Sequence, residues 1–313
     1  MSQKITLKHF FFSTLTSFIL LAGFAACQGT PTPFVPPQGE TTLPGETPVS
    51  PNTLAPPTPS PTATPTPIPL ALTVNGEAIT LAEYDASLAR LLAAQPDLTP
   101  EDARTRVMDE FINQLLLSQA ATQNGFTVDK PLLDERIQTL VTEIGGTEAL
   151  NTWLTANGYT EELFQLELRR AIAAAWMRDQ IVAGVPTTAE QVHIRQILLF
   201  SSAEANNVYA QIQSGTPFDL MVSYYDPVSL GDLGWFPRGY LAEPVIEETA
   251  FALEPGNYSA VIETSVGFHI LQLVERQPDW PLEYNVLMSL QEKAIRTWLE
   301  QQRTTNTISV LVP

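Results

Sequence analysis

The chain has 313 residues, of which 44% are apolar, and a formal net charge of −18 at pH 7. This length accommodates two ordinary domains with packed cores. The acidic balance counts against nucleic acid as a partner, because affinity for nucleic acid depends on Lys and Arg side chains that neutralise phosphates. Cys27 is the only cysteine, so a disulfide within the chain is excluded.

Residues 1–26 have the features of a secretory signal peptide. Lys4 and Lys8 precede an apolar run that is too short for a full membrane span. The run ends at Phe24-Ala25-Ala26-Cys27, which resembles the lipobox of bacterial lipoproteins. The resemblance implies that Cys27 is lipidated and anchors an exported, extracytoplasmic protein to the bacterial cell membrane. The alternative is an ordinary signal peptide in which the cysteine is incidental.

Residues 27–70 are rich in Pro and Thr and predict a disordered linker after the lipidated cysteine. The segment from Gly29 to Leu70 holds 14 of the 26 prolines and very few charges, so it cannot bury a core. Polyproline II geometry, at about 3.1 Å per residue, gives such a segment a reach of roughly 100 Å. We interpret it as a spacer between membrane and folded body. The alternative is a ligand for proline-binding modules.

Residues 71–188 predict a helical domain that opens with a short β hairpin. The hairpin turn is expected at Asn75-Gly76, and Thr80 is a capping residue for the helix that follows. Pro100, behind a capping threonine, predicts the first turn of a long helix that ends at Asn124-Gly125. Further helices are expected at residues 130–144, 148–156 and 161–181.

Residues 189–277 predict a small α+β module. Apolar alternation predicts strands at residues 192–200, 261–264 and 268–275, and helical patterns occur at residues 203–214 and 218–224. In residues 278–313, an amphipathic pattern predicts a helix at 281–304 and a closing strand at 308–312.

Three ordered motifs lie in the predicted α+β module. They are Gly231-Asp232-Leu233-Gly234-Trp235-Phe236, the segment from Phe251 to Ser259, and Gly267-Phe268-His269-Ile270. Together they resemble the parvulin family of peptidyl-prolyl isomerases. The resemblance implies a small antiparallel sheet with flanking helices, cis–trans isomerisation of X–Pro bonds, and no cofactor.

The helical domain ahead of this module is similar to the chaperone domain of SurA and PrsA foldases. Val74-Asn75-Gly76 and the long helix from Asp109 to Gly125 support the similarity. In such foldases the segment after the isomerase returns to complete the helical domain, and residues 278–313 fit that role. The expected fold class is therefore α+β, with a parvulin-like domain inserted into a helical chaperone domain. Expected partners are unfolded or nascent secreted polypeptides that contain proline.

The parvulin resemblance also implies a set of catalytic residues. Parvulins place two histidines on neighbouring central strands, and the second of them corresponds to His269. The first falls at Gln196. His193 cannot replace it, because an offset of three residues along a strand points a side chain to the opposite face. An amide donates and accepts as a neutral imidazole does, so we expect a hydrogen bond between Gln196 and His269. The alternative is that His269 is a satisfied core residue.

The rim acid of the family corresponds to Asp226, whose alternative role is to form the turn before Pro227. The proline pocket is expected from apolar side chains around the site, and Phe236 has core packing as its alternative role. The expected pocket residues are Phe236, Leu241, Val245 or Ile246, and Phe268.

Other chemistries are less well supported by the sequence. Beyond the signal segment the chain has two histidines and no cysteine except Cys27, which counts against a zinc site. No Gly-x-Ser-x-Gly elbow accompanies His269, which counts against a serine hydrolase. Two alternatives to a foldase that isomerises prolines remain. One is a parvulin-fold chaperone that binds extended chains without catalysis, and the other is a structural lipoprotein that recruits one fixed partner.

Overall fold

The computed structural model describes residues 68–312, of which residues 70–312 belong to one compact unit. The predicted signal segment, Cys27 and nearly all of the predicted linker lie outside the described residues. Within the described part no helix is both long and apolar enough to cross a membrane.

The described chain contains helices and two small antiparallel sheets, which confirms the expected α+β class. In chain order its elements are β1 Leu70–Val74, β2 Glu77–Thr80, α1 Leu81–Ala94, α2 Pro100–Gln123, α3 Lys130–Ile144, α4 Thr147–Ala156, α5 Glu161–Ala183, β3 Thr188–Leu199, α6 Ser202–Gln213, α7 Phe218–Tyr225, β4 Asp232–Pro237, α8 Pro244–Ala252, β5 Ile262–Thr264, β6 Gly267–Pro281, α9 Tyr284–Thr305 and β7 Ile308–Val310.

The first sheet joins the two ends of the described chain. Its strand order is β2-β1-β7, and all pairs are antiparallel. Asn75 and Gly76 form the predicted turn with positive φ angles of 51° and 86°. The Asn75 side chain reaches the returning segment, where its Oδ1 accepts a hydrogen bond from the Thr307 amide at 3.1 Å. Asn75 therefore forms both the hairpin turn and a link to the C-terminal segment.

The predicted helix caps are present. Thr80 accepts a hydrogen bond from the Glu83 amide, and the Glu83 carboxylate accepts from the Thr80 amide, so the two residues form a capping box. Thr99 caps α2, which has Pro100 in its first turn. These caps satisfy amides that the helix itself leaves without partners.

The helical region has two apolar clusters. One is built from the first sheet, α1 and α2, and Leu299 of α9 and Ile308 of β7 pack against it. The other joins α3, α4 and α5. The C-terminal segment therefore packs on the helical region, as the sequence predicts.

The second sheet has the strand order β4-β3-β6-β5 and is antiparallel throughout. Helices α6 and α7 cover one face of it, where Ile197 and Ile270 are buried. Helix α8 covers the other face, where Ile194 and Leu271 are buried. Consecutive residues of a strand point to opposite faces, so each long strand contributes to both cores.

The structure differs from the predicted elements in two ways. No sequence pattern predicts β4 or α8, which the structure forms at Asp232–Pro237 and Pro244–Ala252. Strands β3 and β6 are also longer than predicted, and β6 continues through Pro281. At the far end of this extension Thr188 pairs with Pro281 and Ala189 with Trp280, and register shifts mark bulges. Proline is tolerated there because this end of the sheet has few neighbouring strands.

Candidate functional site

Gln196 and His269 lie on the two central strands of the second sheet and face α8. Gln196 is opposite Leu271, and His269 is opposite Leu198, so the two polar side chains share one face. The His269 Nδ1 atom donates to the Gln196 Oε1 atom at 2.8 Å. The predicted hydrogen bond between the two residues is therefore confirmed.

Thr264, at the end of β5, is a third member of this network. Its hydroxyl donates to the His269 Nε2 atom at 2.8 Å. Both ring nitrogens thus have partners that suit a neutral imidazole, one an acceptor and the other a donor. Sequence reasoning missed Thr264, since its contact depends on the hairpin that pairs Thr264 with Gly267.

The environment of His269 favours the neutral ring. The side chain is buried, with 5% of the residue exposed. Burial lowers the pKa of His269, while the Glu243 carboxylate acts against that shift. The network is therefore an uncharged polar cluster at the border of an apolar core.

The Gln196 amide group retains a free donor. Its Oε1 atom is used by His269, whereas Nε2 donates to no protein group within residues 68–312. Nε2 is not fully buried, so part of it remains accessible to solvent. The network therefore presents one N–H group to the outside.

Two glycines of the sequence motifs hold the backbone close to this network. A Cβ atom on Gly231, whose φ is +67°, would lie 2.0 Å from the Gln196 carbonyl oxygen. A Cβ atom on Gly267, with φ +145°, would lie 2.6 Å from the Leu199 carbonyl oxygen. Only glycine fits such close approaches in these conformations.

Asp226 organises the loop before β4 and does not join the His269 network. Its carboxylate accepts hydrogen bonds from the backbone amides of Ser229 and Gly231, at 3.0 and 3.1 Å, and from the Ser229 hydroxyl. These hydrogen bonds lower the pKa of Asp226, and the bond from the Ser229 hydroxyl has the largest effect. The Gly231 carbonyl oxygen in turn accepts a hydrogen bond from the Gln196 backbone N–H group at 2.8 Å. The structure therefore agrees with the alternative interpretation of Asp226 as a turn-forming residue.

His193 lies on the opposite face of β3, as expected. Its ring stacks on Trp235 with 5.4 Å between centroids, and its Nε2 atom lies 2.7 Å from the Asp232 Oδ1 atom. It cannot reach the Gln196 side chain from that face.

The expected pocket residues separate into three groups. Phe236 and Ile246 are buried in the cluster under α8, at 1% and 4% exposed, and Leu241 packs against them while partly exposed. Val245 points outward and is 42% exposed. Phe268 packs in the opposite cluster, under α6 and α7.

The structure therefore does not place Phe268 or Val245 beside the apolar group of Leu241, Phe236 and Ile246. Phe268 directly precedes His269 in β6, so the alternation of the strand sends its side chain to the other face. Val245 and Ile246 are neighbours on a helix and cannot share a face, and Ile246 occupies the inner position. Leu241, Phe236 and Ile246 remain as the apolar group on the network's side of the sheet.

Within residues 68–312 no group of three or more His, Cys, Asp or Glu side chains is arranged to hold a metal ion.

Comparison with protein families gives two domain matches. Residues 60–178 match a SurA-like N-terminal domain, and residues 200–275 match a PPIC-type PPIase domain. The second match contains His269, Thr264 and the glycine motifs, while Gln196 lies just before it.

Individual relatives are similar over part of the chain. A parvulin-like PPIase of Rickettsia felis is 25% identical over 191 residues, which cover 58% of this chain and 62% of that protein. The foldase protein PrsA of Halalkalibacterium halodurans is 26% identical over 231 residues, which cover 66% of this chain and 68% of that protein. The matched region thus spans less than two thirds of the first relative.

A solved structure also resembles the chain. The peptidylprolyl isomerase PrsA from Bacillus cereus is 18% identical and aligns with a TM-score of 0.44, covering 72% of this chain and 86% of that one. The chain thus combines a SurA-like N-terminal domain, over residues 60–178, with a PPIC-type PPIase domain, over residues 200–275.

Proposed function

We propose that this protein is an extracytoplasmic foldase that isomerises X–Pro peptide bonds at the network of Gln196, His269 and Thr264. The observation that supports this proposal most is the hydrogen-bonded, neutral network beside the apolar group of Leu241, Phe236 and Ile246. It lies at a domain that matches the PPIC-type PPIase model.

The chemistry requires only a shift in relative stability between two states of the substrate. Rotation about a peptide bond has a barrier of ~18–20 kcal/mol because resonance stiffens the C–N bond. Uncatalysed prolyl exchange consequently takes roughly 10–100 s. A catalyst lowers this barrier by binding the twisted amide better than either planar form. No bond is cut, so neither a nucleophile nor a cofactor is needed.

The proposed roles follow from the geometry. The free Nε2 group of Gln196 donates a hydrogen bond either to a substrate oxygen or to the prolyl nitrogen. In the twisted state the lone pair of that nitrogen is no longer shared with the carbonyl group, so the nitrogen can accept the bond. His269 holds the Gln196 amide in position, and Thr264 fixes the His269 tautomer. Leu241 contacts the proline ring, with Phe236 and Ile246 as its support. Asp226 acts through the loop that it orders.

The test is the cis-to-trans relaxation of X–Pro tetrapeptides with the purified protein. Wild type is expected to accelerate relaxation, and His269→Ala is expected to reduce the acceleration at least tenfold, because the Gln196 amide loses its positioning partner. His193→Ala is the matched control, since it removes the other histidine of the same strand pair from the opposite face. Equal losses in both variants, or a rate equal to buffer for wild type, would contradict the proposal.

A second function is supported by the altered site. Gln196 stands where parvulins are expected to have histidine, and Phe236 and Ile246 are almost fully buried, which leaves Leu241 as the accessible apolar residue. These features favour a chaperone that binds extended chains without catalysis. Such a protein would suppress aggregation of an unfolded client while tetrapeptide relaxation stays at the buffer rate.

We also propose that the protein is lipidated at Cys27 and tethered to the membrane by residues 27–70. The lipobox-like sequence and the Pro-rich composition support this. To test this proposal, bacteria that express the protein are grown with a radioactive fatty acid. Wild type should carry label and sediment with membranes, whereas Cys27→Ser should do neither. Label-free wild type in the soluble fraction would favour an ordinary signal peptide.

A further inference from the structure

Glu243 lies at the mouth of the site. It is the residue before α8, two positions after Leu241. Its Oε1 atom is 3.5 Å from the Ser265 hydroxyl oxygen, which belongs to the β5–β6 turn directly after Thr264. The Glu243 carboxylate thus lies between two walls of the site, one formed at the start of α8 and the other by the β5–β6 turn.

The Glu243 charge reaches the site itself. The carboxylate acts on His269 and raises its pKa against the larger effect of burial. Neighbouring Glu247 differs, because its carboxylate is occupied by the backbone amides of Gly239, Tyr240 and Leu241. Glu243 is therefore the acid of this segment whose charge is available at the mouth.

No cation of the domain neutralises Glu243. Residues 189–277 contain eleven acidic side chains and three arginines, and no lysine. Arg195 pairs with Asp219, and Arg238 and Arg276 both pair with Glu190. None of the ion pairs within residues 68–312 includes Glu243.

We infer that Glu243 is a specificity-determining residue that selects proline bonds with a Lys or Arg directly beside the proline. The inference rests on the proposed isomerase function and names its substrate class. When a proline is held against Leu241, the side chain of the residue beside it lies at the mouth of the site. There the unpaired Glu243 carboxylate attracts a cationic side chain and repels an anionic one. At a separation of about 4–6 Å in a largely aqueous site, the attraction corresponds to roughly a fivefold change in kcat/KM.

The test uses the purified protein and tetrapeptides that differ only beside the proline, with Lys, Arg, Gln or Glu before or after it. Wild type should act about fivefold faster on Lys and Arg peptides than on Gln peptides in at least one of the two positions, and slowest on Glu peptides. High salt should reduce the difference, because exposed charges are screened.

Three variants locate the effect. Glu243→Gln should bring the ratio of the Lys and Arg rates to the Gln rate close to one, whereas Glu243→Lys should favour Glu peptides. Glu248→Gln is the matched control, since it removes the same charge from an exposed position on α8 and should keep the preference. Circular dichroism melts establish that each variant is folded.

The possible failures are distinguishable. Acceleration of all peptides without a preference, or a preference that survives Glu243→Gln, would overturn the inference and leave the proposed function intact. A buffer rate with every peptide would overturn both together.

Discussion

The helical region and the second sheet each contain a buried polar cluster, and the two are built differently. In the helical region, Arg170 of α5 is 7% exposed. It donates to Glu77 at 2.9 Å and to Glu83 at 3.2 Å, and also to the Ala78 carbonyl. The cluster in the sheet consists of Gln196, His269 and Thr264 and carries no charge.

The contrast separates a structural role from a functional one. In the Arg170 cluster one guanidinium group is shared by two carboxylates, and its ion pairs join α5 to β2 and to α1. In the sheet cluster the last donor, on Gln196, is left open to solvent. A buried network of paired charges that links several elements is suited to fixing a fold. A neutral network with one free donor is suited to binding a polar group that changes character during a reaction.

The largest expected effect is loss of the Arg170 charge. Arg170→Met should lower the free energy of unfolding by about 3 to 5 kcal/mol, because the buried Glu83 carboxylate is left without a counter-ion. Urea unfolding monitored by circular dichroism measures this. The isomerase rate per folded molecule should remain unchanged, since the sheet cluster is not touched.

Lys130→Met is the matched control for Arg170→Met. Lys130 also pairs with an acid, Asp134, but both side chains are largely exposed. Surface ion pairs of this kind contribute about 0 to 1 kcal/mol. Equal destabilisation by the two variants would show that the Arg170 cluster does not fix the fold as described.

The next effect concerns the approach of Gly231 to Gln196. Gly231→Ala should cost roughly 2 to 4 kcal/mol of stability, from the positive φ and the clash with the Gln196 carbonyl. It should also reduce isomerase activity, because the clash moves the strand that holds the Gln196 side chain. Gly256→Ala has a similar φ but no neighbouring atom within 4 Å, so it should cost only about 1 to 2 kcal/mol and spare activity. Similar losses in both variants would contradict the role of close approach.

Much of the fold could be predicted because its signals are local. Threonine caps with a following proline or acid predicted where helices begin, and apolar alternation predicted the central strands. Strand β4 was missed because Gly231 directly precedes it and Gly234 interrupts its apolar pattern, both with positive φ. Helix α8 has nine residues, which is too short for a clear helical period.

The site was partly predictable for the same reason. The period of two along β3 excludes His193 and places Gln196 on the face of His269. Applied to β6, the same rule places Phe268 on the face away from His269, where the structure has it. Thr264 could not be predicted, because its position depends on the register of the β5–β6 hairpin, which turn geometry and burial set together.

A smaller effect is expected from protonation of His269. Burial lowers the pKa of His269 in the folded protein below its unfolded value of about 6.5. The unfolded state therefore binds the proton more readily, and this residue's contribution to stability, complete above about pH 7, is lost as pH falls below about 6.5. Unfolding free energies measured between pH 7.5 and 5 should fall more steeply for wild type than for His269→Gln. Parallel curves would contradict the buried, neutral ring.

The smallest expected effect on stability accompanies Gln196→His, which restores the residue that parvulins are expected to have there. The imidazole can keep one hydrogen bond to His269, and it has fewer rotatable bonds than glutamine, so less side-chain freedom is lost on ordering. We expect a change in unfolding free energy below about 1.5 kcal/mol and an increase in tetrapeptide relaxation rate of about two- to tenfold. Protease-coupled relaxation kinetics measure the rate. A folded variant without any gain would mean either that the free donor of Gln196 already acts as well as a histidine, or that the apolar pocket limits the rate. Combining Gln196→His with Leu241→Met distinguishes these two cases.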